Sequence, residues 1–280
     1  MSPANNQART LTGQGVSPDL ARVIRNLGLY PLARKALYAV DYARNYRENR
    51  SIRRAHPTVA LPPERLLWVT QPSTSLRIYL TGAQAAGDYL AIASRHLQRI
   101  DRILEWGCGN ACIIRHVPRL LPGVLACGSD YDRNLIEWCR ENVTDVEFRL
   151  NALEPPLDFP DDFFDFVYSR SVSTHLPADL QKRWLAEQLR VTRPGGLVLL
   201  TVHGDAYKHR ITADELANYT ERGVVEHCTK DVGGPWFTTF NSPAYMEREL
   251  LAGLEIVERD VLPETAMGLR QDMWVVRKPG

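Results

Sequence analysis

The sequence predicts an α/β protein in which a doubly wound, mostly parallel sheet follows an N-terminal helical extension. From Arg102 onwards, short apolar segments alternate with segments that have helical periodicity. Two of the apolar segments, Phe164–Ser169 and Leu197–Val202, are almost wholly apolar, so we expect them to be strands buried on both faces. Strands of this kind that alternate with helices are typical of a parallel sheet covered by helices on both sides.

The composition is that of an ordinary globular protein. The 280 residues contain 34 Lys and Arg against 33 Asp and Glu, and a net charge of +1 does not indicate a general polyanion binder. No apolar stretch is long enough for a membrane span, and residues 1–20 lack the apolar stretch of a secretory leader, which favours a cytoplasmic location. The five cysteines are scattered, so we expect reduced thiols and no metal site. They are Cys108, Cys112, Cys127, Cys139 and Cys228.

Changes in composition divide the chain into three parts. We expect residues 1–19 to be flexible, residues 20–100 to form a helical extension and residues 101–280 to form the domain that carries the sheet. Between Ala21 and Ala55, nine basic residues stand against two acidic ones. This basic segment is either a solvated helix face that packs on the more acidic remainder, or a binding surface for an anionic substrate or a membrane.

The helical extension contains segments with different patterns. Residues 20–54 predict one or two helices, interrupted near Gly28 and Pro31. Residues 56–72 contain four prolines and predict an extended connector. Leu76–Leu97 has apolar residues three or four positions apart, which predicts a helix.

Five strands and three helices alternate in the following part of the chain. The predicted strands are Ile103–Trp106, Val124–Ser129, Val146–Leu150, Phe164–Ser169 and Leu197–Val202, and the predicted helices are Ala111–Leu120, Arg133–Asn142 and Asp179–Val191. Two further strand candidates, Leu254–Val261 and Met273–Arg277, have little helix between them. We expect that they can pair as an antiparallel edge.

A glycine-rich turn directly follows the first predicted strand. Gly107 and Gly109 let the backbone turn sharply and approach a ligand closely. A dinucleotide-binding turn of this type needs a third glycine, and Cys112 stands at that position. Glu105 also argues against a phosphate ligand, because its carboxylate suits a ligand that carries positive charge. A purely structural glycine turn is the alternative.

Polar residues also follow the second and third predicted strands. The carboxylate of Asp130 can accept hydrogen bonds from both ribose hydroxyls of a nucleoside, as in other open α/β sheets. Tyr131 can lie against an adenine ring, whereas Asp132 is better explained as the N-cap of the next helix. Asn151 can hydrogen-bond an adenine edge or simply form a turn.

Residues 102–203 resemble the class I S-adenosylmethionine-dependent methyltransferases of the small-molecule type. The resemblance lies in a glycine-rich motif, a ribose-binding acid, a fourth-strand motif and the turn before the fifth strand, which are Leu104–Gly109, Gly128–Asp130, Asp162–Val167 and Arg193–Gly196. Asn151 stands where the family often has Asp, and Ala111 stands where many members have a third glycine.

This resemblance implies a Rossmann-like methyltransferase fold, with a sheet of seven strands and a reversed last strand. It also implies S-adenosyl-L-methionine as the methyl donor. The residues expected to bind this cofactor follow the tips of the first four strands. They are Glu105, Gly107, Cys108, Gly109, Asp130, Tyr131, Asn151, Ala152, Leu153 and Ser169.

The acceptor side is expected after the fourth and fifth strands. His175 resembles the histidine that acts as a base in some related sugar and small-molecule methyltransferases. A histidine that titrates near neutrality can take the proton of a hydroxyl acceptor. His203, at the end of the fifth strand, is the second catalytic candidate, and either ring can instead only pack or cap. The run Gly233–Phe240 can form a wall over the acceptor or pack in the core.

We therefore expect methyl transfer from S-adenosylmethionine to a small hydroxylated acceptor, such as a sugar or glycoconjugate, with the helical extension as a lid. N- or C-methylation of a small metabolite and a non-catalytic S-adenosylmethionine-binding partner protein stay open as alternatives. Modification of nucleic acid is disfavoured, because no base-reading module accompanies the basic segment. Peripheral membrane contact through that segment stays open, and the sequence does not define the oligomeric state.

Overall fold

The computed structural model describes residues 30–71, 73–227, 232–234, 237–266 and 270–280. The predicted flexible segment 1–19 lies outside the described residues, as do Gly28, Cys228 and Trp236. The chain divides into two compact units, Met1–Thr81 and Gly82–Gly280. The described part of the first unit is helical, and the second unit contains the sheet and the predicted site residues.

The first unit contains three described helices, which are α1 (Tyr30–Ala55), α2 (Glu64–Thr70) and α3 (Leu76–Leu80). Helix α2 lies inside the segment whose prolines predicted an extended connector. Pro63 is its extended N-cap, with φ −61° and ψ 148°, so proline precedes a helix here instead of excluding one. Buried Asn49 joins α1 to α3, because its Nδ2 donates to Thr74 O at 2.7 Å and its Oδ1 accepts from Leu76 N at 3.0 Å.

The second unit begins with α4 (Gly82–His96), so the single helix predicted for Leu76–Leu97 is divided at Thr81. Its other described helices are α5 (Val117–Leu120), α6 (Arg133–Asn142), α7 (Ala178–Val191), α8 (Ala213–Arg222) and the single turn α9 (Pro243–Tyr245). The described strands are β1 (Arg102–Trp106), β2 (Leu125–Asp130), β3 (Glu147–Leu150), β4 (Phe164–Ser169), β5 (Thr192–Val202), β6 (Val224–His227), β7 (Thr238–Asn241), β8 (Glu255–Asp260) and β9 (Asp272–Arg277).

Seven strands form one sheet in the order β3-β2-β1-β4-β5-β9-β8. The first five strands pair in parallel, and β9 runs antiparallel to both β5 and β8. This topology confirms the predicted mostly parallel sheet of the Rossmann-like methyltransferase fold, together with its antiparallel edge. A separate antiparallel pair, β6 with β7, has no counterpart in the sequence-based prediction.

The hydrophobic core lies on both faces of the sheet, because every residue of β4 is buried. In one core cluster, Trp106 packs on Trp184 of α7 with ring centroids 4.5 Å apart. In the other cluster, Tyr168 of β4 lies 5.3 Å from Tyr89 of α4. Helices therefore cover both faces, as the apolar strands predicted.

Two elements differ locally from the prediction. The helix predicted for Ala111–Leu120 starts only at Val117, after a single 3₁₀ turn, because Ala111 itself has a left-handed backbone with φ +57°. Strand β5 starts at Thr192, so the predicted turn Arg193–Gly196 forms an irregular first part of the strand. Gly195 in this part has φ +74°, which glycine tolerates at no steric cost.

The described cysteines are free thiols, namely Cys108, Cys112, Cys127 and Cys139. Within the described ranges, no helix is both long and apolar enough to cross a membrane. In the same part of the chain, no group of three His, Cys, Asp or Glu side chains is placed to hold a metal ion.

The carboxyl ends of the parallel strands meet at one edge of the sheet, where ligands bind in open α/β folds. Trp106, Asp130, Ser169 and Val202 are the last residues of β1, β2, β4 and β5. Strand β9 runs the other way, so it starts at this edge, and its first residue Asp272 pairs with Val202. Residues that precede β9 therefore also reach the site.

Candidate active site

The glycine-rich turn after β1 folds tightly against the end of β2. The amides of Gly107 and Cys108 donate to Ser129 O at 2.7 and 3.0 Å. Gly107 has φ +72°, and a Cβ at this position would lie 2.2 Å from a methyl carbon of Val172. Only glycine therefore fits here, because both the backbone angle and the available space exclude a side chain.

Glu105 is a buried carboxylate at the base of this turn. Its Oε2 accepts from Ile114 N at 2.9 Å and from the hydroxyl of Tyr168 at 3.1 Å, which leaves Oε1 for a ligand. Burial raises the pKa of Glu105 to about 8. Among the described residues, no basic side chain forms an ion pair with it, so a bound cation would stabilise its charged form.

Asp130 is a second buried carboxylate, at the tip of the neighbouring strand β2. Its Oδ2 accepts from Gly109 N and its Oδ1 accepts from Asp132 N, both at 2.9 Å. Burial raises its pKa to about 6. Each oxygen keeps a further lone pair, so the two together can accept from two neighbouring hydroxyl groups. Asp132 caps α6, as predicted, because its side chain accepts from the first amides of that helix.

Tyr131 directly follows Asp130, and Asn151 follows the end of the neighbouring strand β3. Tyr131 is 45% exposed, and its hydroxyl donates to Gly233 O at 2.9 Å. The Nδ2 of Asn151 donates to Ala152 O at 2.7 Å, but its Oδ1 is buried without a donor among the described residues. An orphaned buried acceptor is costly unless a ligand supplies a donor. Asn151 N also donates to Asp130 O at 3.0 Å, which holds the two residues together.

The other predicted cofactor residues occupy different environments. Cys108 is buried, and its Sγ would lie 2.9 Å from a Cβ at Gly128, so this side chain packs beneath the turn. Ser169 ends β4 with a buried hydroxyl that has no partner among the described residues. Ala152 is exposed, whereas half-buried Leu153 approaches Gly233. The turn, the two carboxylates and Asn151 are therefore brought together, and the side chain of Cys108 is buried.

His175 ends a 3₁₀ turn that follows β4. Its Nδ1 lies 2.8 Å from Phe237 O, a carbonyl that can only accept, so Nδ1 carries the proton. The lone pair of the neutral ring is then on Nε2, the nitrogen that can receive a proton. The backbone of His175 is also fixed, because Gly233 N donates to its carbonyl oxygen at 2.8 Å.

His203 follows β5 and is in a different state. Its Nε2 lies 3.1 Å from the Nε2 of Gln271, whose Oε1 accepts from Thr201 Oγ1 at 2.6 Å. The amide nitrogen of Gln271 therefore donates to His203, and the ring carries its own proton on Nδ1, which is buried without a partner among the described residues. Burial, together with nearby Arg210 and His175, holds the pKa of His203 well below its ordinary value.

An aromatic stack extends from His203. Its ring lies 4.1 Å from the ring of Tyr207 and 5.6 Å from that of Phe240. Phe237 and Phe240 are both buried, so the described rings of the run Gly233–Phe240 pack in the core. The backbone of the same run contacts Tyr131 and His175, so it also borders the predicted site.

Sequence reasoning did not identify Gln271, which lies 68 positions after His203. Its amide nitrogen also donates to Ser171 Oγ at 2.7 Å, so it connects the loop after β4 with the end of β5. The predicted antiparallel edge contained a usable signal. A strand that starts at Met273 and runs against its neighbours must begin at the carboxyl edge of the sheet.

The comparisons with known proteins agree with this geometry. Residues 104–200 match a family model described as a methyltransferase domain. An uncharacterised methyltransferase of Schizosaccharomyces pombe is 30% identical over 115 residues, which are 37% of this chain and 40% of that protein. Phthiotriol/phenolphthiotriol dimycocerosates methyltransferase 1 of Mycobacterium ulcerans is 35% identical over 102 residues, or 36% of each chain. The chain thus spans less than half the length of these relatives.

The fold is also similar to that of 1,6-didemethyltoxoflavin-N1-methyltransferase from Burkholderia thailandensis, whose structure holds S-adenosylhomocysteine. The TM-score is 0.50 at 18% identity, over 72% of this chain and 80% of that one. The strand order and the matched motifs of this chain lead to the same assignment. Residues 104–200 therefore match a methyltransferase domain, on a sheet with the strand order of the class I S-adenosylmethionine-dependent methyltransferases that the sequence resembles.

Proposed function

We propose that the protein transfers the methyl group of S-adenosylmethionine to the hydroxyl of a small acceptor. The observation that carries this proposal is the pair of buried carboxylates, Glu105 and Asp130, on neighbouring strand tips without a basic partner among the described residues. Such a pair disfavours anionic ligands and favours a ligand that combines positive charge with hydroxyl donors. S-adenosylmethionine has both, in its ammonium and sulfonium groups and its ribose.

Each end of the cofactor has matching partners in this arrangement. Glu105 Oε1 would accept from the ammonium group, and Asp130 would accept from the ribose hydroxyls. The buried Oδ1 of Asn151 would accept from the adenine amino group, next to the exposed ring of Tyr131. Gly107 allows the tight turn that brings the backbone to the ligand, because Val172 packs where its side chain would lie. These residues fit the cofactor because each unsatisfied acceptor meets a donor.

His175 is the residue best suited to take the acceptor proton. When bound, S-adenosylmethionine supplies an electrophilic methyl group, and a hydroxyl that attacks it must lose a proton. The Nε2 lone pair of His175 can receive this proton, and Phe237 O then holds the ring in place through Nδ1–H. His203 is less suited, because its Nε2 already accepts from Gln271 and its pKa is depressed.

The presence of this base favours O-methylation over N-methylation, since an amine acceptor is nucleophilic without one. The name of the mycobacterial relative, phthiotriol/phenolphthiotriol dimycocerosates methyltransferase 1, also refers to triols. A small hydroxylated molecule is thus the acceptor that the site chemistry supports best.

Isothermal titration calorimetry with S-adenosylhomocysteine tests the donor site. Glu105→Gln and Asp130→Asn should each raise the dissociation constant ~10-fold or more, because hydrogen bonds to a charged group contribute about 1.5–3 kcal/mol. Glu141→Gln, which changes an exposed carboxylate of α6, is the matched control and should leave the constant unchanged. Unchanged binding in both site variants would overturn the proposal.

A further inference from the structure

We propose that the acceptor is an anion, a hydroxylated carboxylate or phosphate ester, and that Arg210 binds its charged group. This inference rests on the proposed methyl transfer and adds the class of the acceptor. It follows from the placement of Arg210 beside the acceptor-side histidines and from the absence of a counter-charge among the described residues.

Arg210 is held at the tip of β5 by an aromatic platform. It ends the 3₁₀ segment Asp205–Arg210, which directly follows His203 and Gly204. The guanidinium carbon lies 4.9 Å from the ring centroid of Tyr207, and that ring lies 4.1 Å from the ring of His203. The stack therefore fixes a positive charge close to the residues that border the acceptor.

The guanidinium of Arg210 is half-buried, yet no carboxylate forms an ion pair with it among the described residues. Other half-buried arginines do have such partners, namely Arg53 with Glu64, Arg190 with Glu187, Arg193 with Asp165 and Arg277 with Glu255. Burial accordingly lowers the pKa of Arg210, whereas carboxylates raise that of Arg190. A desolvated, unpaired guanidinium is costly, and an anionic ligand would offset that cost.

Two carboxylates near this stack, Asp205 and Asp272, form no ion pair with Arg210. Asp205 forms an ion pair with Lys208 at 3.2 Å and accepts from the hydroxyl of Tyr219 at 2.9 Å. Asp272 Oδ1 accepts from Leu262 N at 2.9 Å, and its Oδ2 is buried without a partner among the described residues. Burial raises the pKa of Asp272 to about 6, which disfavours its charged form. Neither group replaces a counter-ion for Arg210.

A second cation lies on the same side. Arg170 follows Ser169 at the tip of β4, is exposed and has no ion pair among the described residues. Strand β4 lies between β1 and β5 in the sheet, so Arg170 follows a strand tip between those of Glu105 and His203. The strand order therefore places two carboxylates at β1 and β2 and two guanidiniums at β4 and β5. A cationic donor and an anionic acceptor match this division of charge.

Calorimetry with simple probes tests the inference on the full chain, with and without saturating S-adenosylhomocysteine. The probes are benzoate and phenyl phosphate, with phenol as the uncharged comparison. We expect one of the anions to bind more tightly than phenol, and Arg210→Gln to raise its dissociation constant ~10-fold or more. Arg210→Lys should have a smaller effect, because lysine keeps the charge but loses the planar pair of donors. Arg222→Gln, at the exposed end of α8, should have none.

The outcomes separate the possible sources of the charge. A larger effect of Arg210→Gln on benzoate assigns a carboxylate acceptor, and a larger effect on phenyl phosphate assigns a phosphate ester. The inference is overturned if the anions bind no better than phenol, or if they bind equally well to Arg210→Gln. The proposed donor site still stands in that case, provided that S-adenosylhomocysteine binds. If S-adenosylhomocysteine does not bind to the unaltered chain, the proposed function fails, and the anion titrations of the free protein still decide the role of Arg210.

Discussion

The two histidines at the carboxyl edge differ in which ring nitrogen carries the proton and in what that nitrogen contacts. Phe237 O fixes the proton of His175 on Nδ1, and Gln271 occupies the acceptor nitrogen of His203. The sequence predicted both residues as candidates from their positions after strands. It could not separate them, because the deciding partners lie 62 and 68 positions away along the chain.

The assignment of the base leads to a prediction about turnover. We expect His175→Ala to lower kcat by ~10²-fold or more with unchanged affinity for S-adenosylhomocysteine, which is the usual contribution of a general base. His203→Ala should lower kcat less, because that ring already has a hydrogen-bond donor at Nε2. Transfer of a radiolabelled methyl group to hydroxylated acids and sugars, at saturating donor, measures the effect. Full turnover by the His175 variant contradicts the assignment, and exposed His209→Ala serves as the control.

At the scale of elements, the sequence predicted the strands that are buried on both faces and the antiparallel edge. The buried strands could be predicted because a fully apolar strand is stable only in the middle of a sheet that is covered on both faces. The prediction of an extended Pro-rich connector was wrong at α2, because Pro63 is the N-cap of that helix and does not interrupt it. The pair β6 and β7 was missed, since its strands are only four residues long and depend on contacts outside their own segment.

The glycine turn allows a test with a matched control. Gly107→Ala should destabilise the fold and weaken donor binding, because it adds a methyl group 2.2 Å from Val172 to a left-handed backbone that costs about 1–2 kcal/mol. Gly123→Ala has the same backbone strain, with φ +88°, but meets no atom within 4 Å. Urea unfolding should therefore show the smaller loss for Gly123→Ala. The double variant Gly107→Ala, Val172→Ala should recover part of the difference, and no recovery would mean that the clash is not the cause.

At the scale of the whole molecule, the buried carboxylates link stability to pH. The pKa of Glu105 rises from 4.5 to about 8 on folding, so the folded chain holds a proton that the unfolded chain releases between these pH values. The free energy of unfolding should consequently fall as pH rises through this window, by about 1.4 kcal/mol per pH unit from this group. Asp130, with a pKa raised to about 6, acts in the same direction at lower pH.

Thermal unfolding of wild type and Glu105→Gln from pH 5 to pH 9 measures this contribution. The difference between the two proteins should change in favour of the glutamine variant as pH rises, because glutamine carries no charge to bury. Saturating S-adenosylhomocysteine, whose ammonium group would neutralise the charge of Glu105, should make this stability difference depend less on pH. A difference that is constant with pH would show that Glu105 does not titrate in this range.

One residue, Gly233, connects the two halves of the proposed reaction. The carbonyl of Gly233 accepts from the hydroxyl of Tyr131, and the amide of the same residue donates to His175. A nucleoside stacked on Tyr131 would therefore contact a side chain that is hydrogen-bonded to the residue holding the backbone of His175. If binding at one position shifts Gly233, it would change the affinity at the other position, and linkage requires the same factor in both directions. The enzyme would meet its second substrate with a base already aligned by the first.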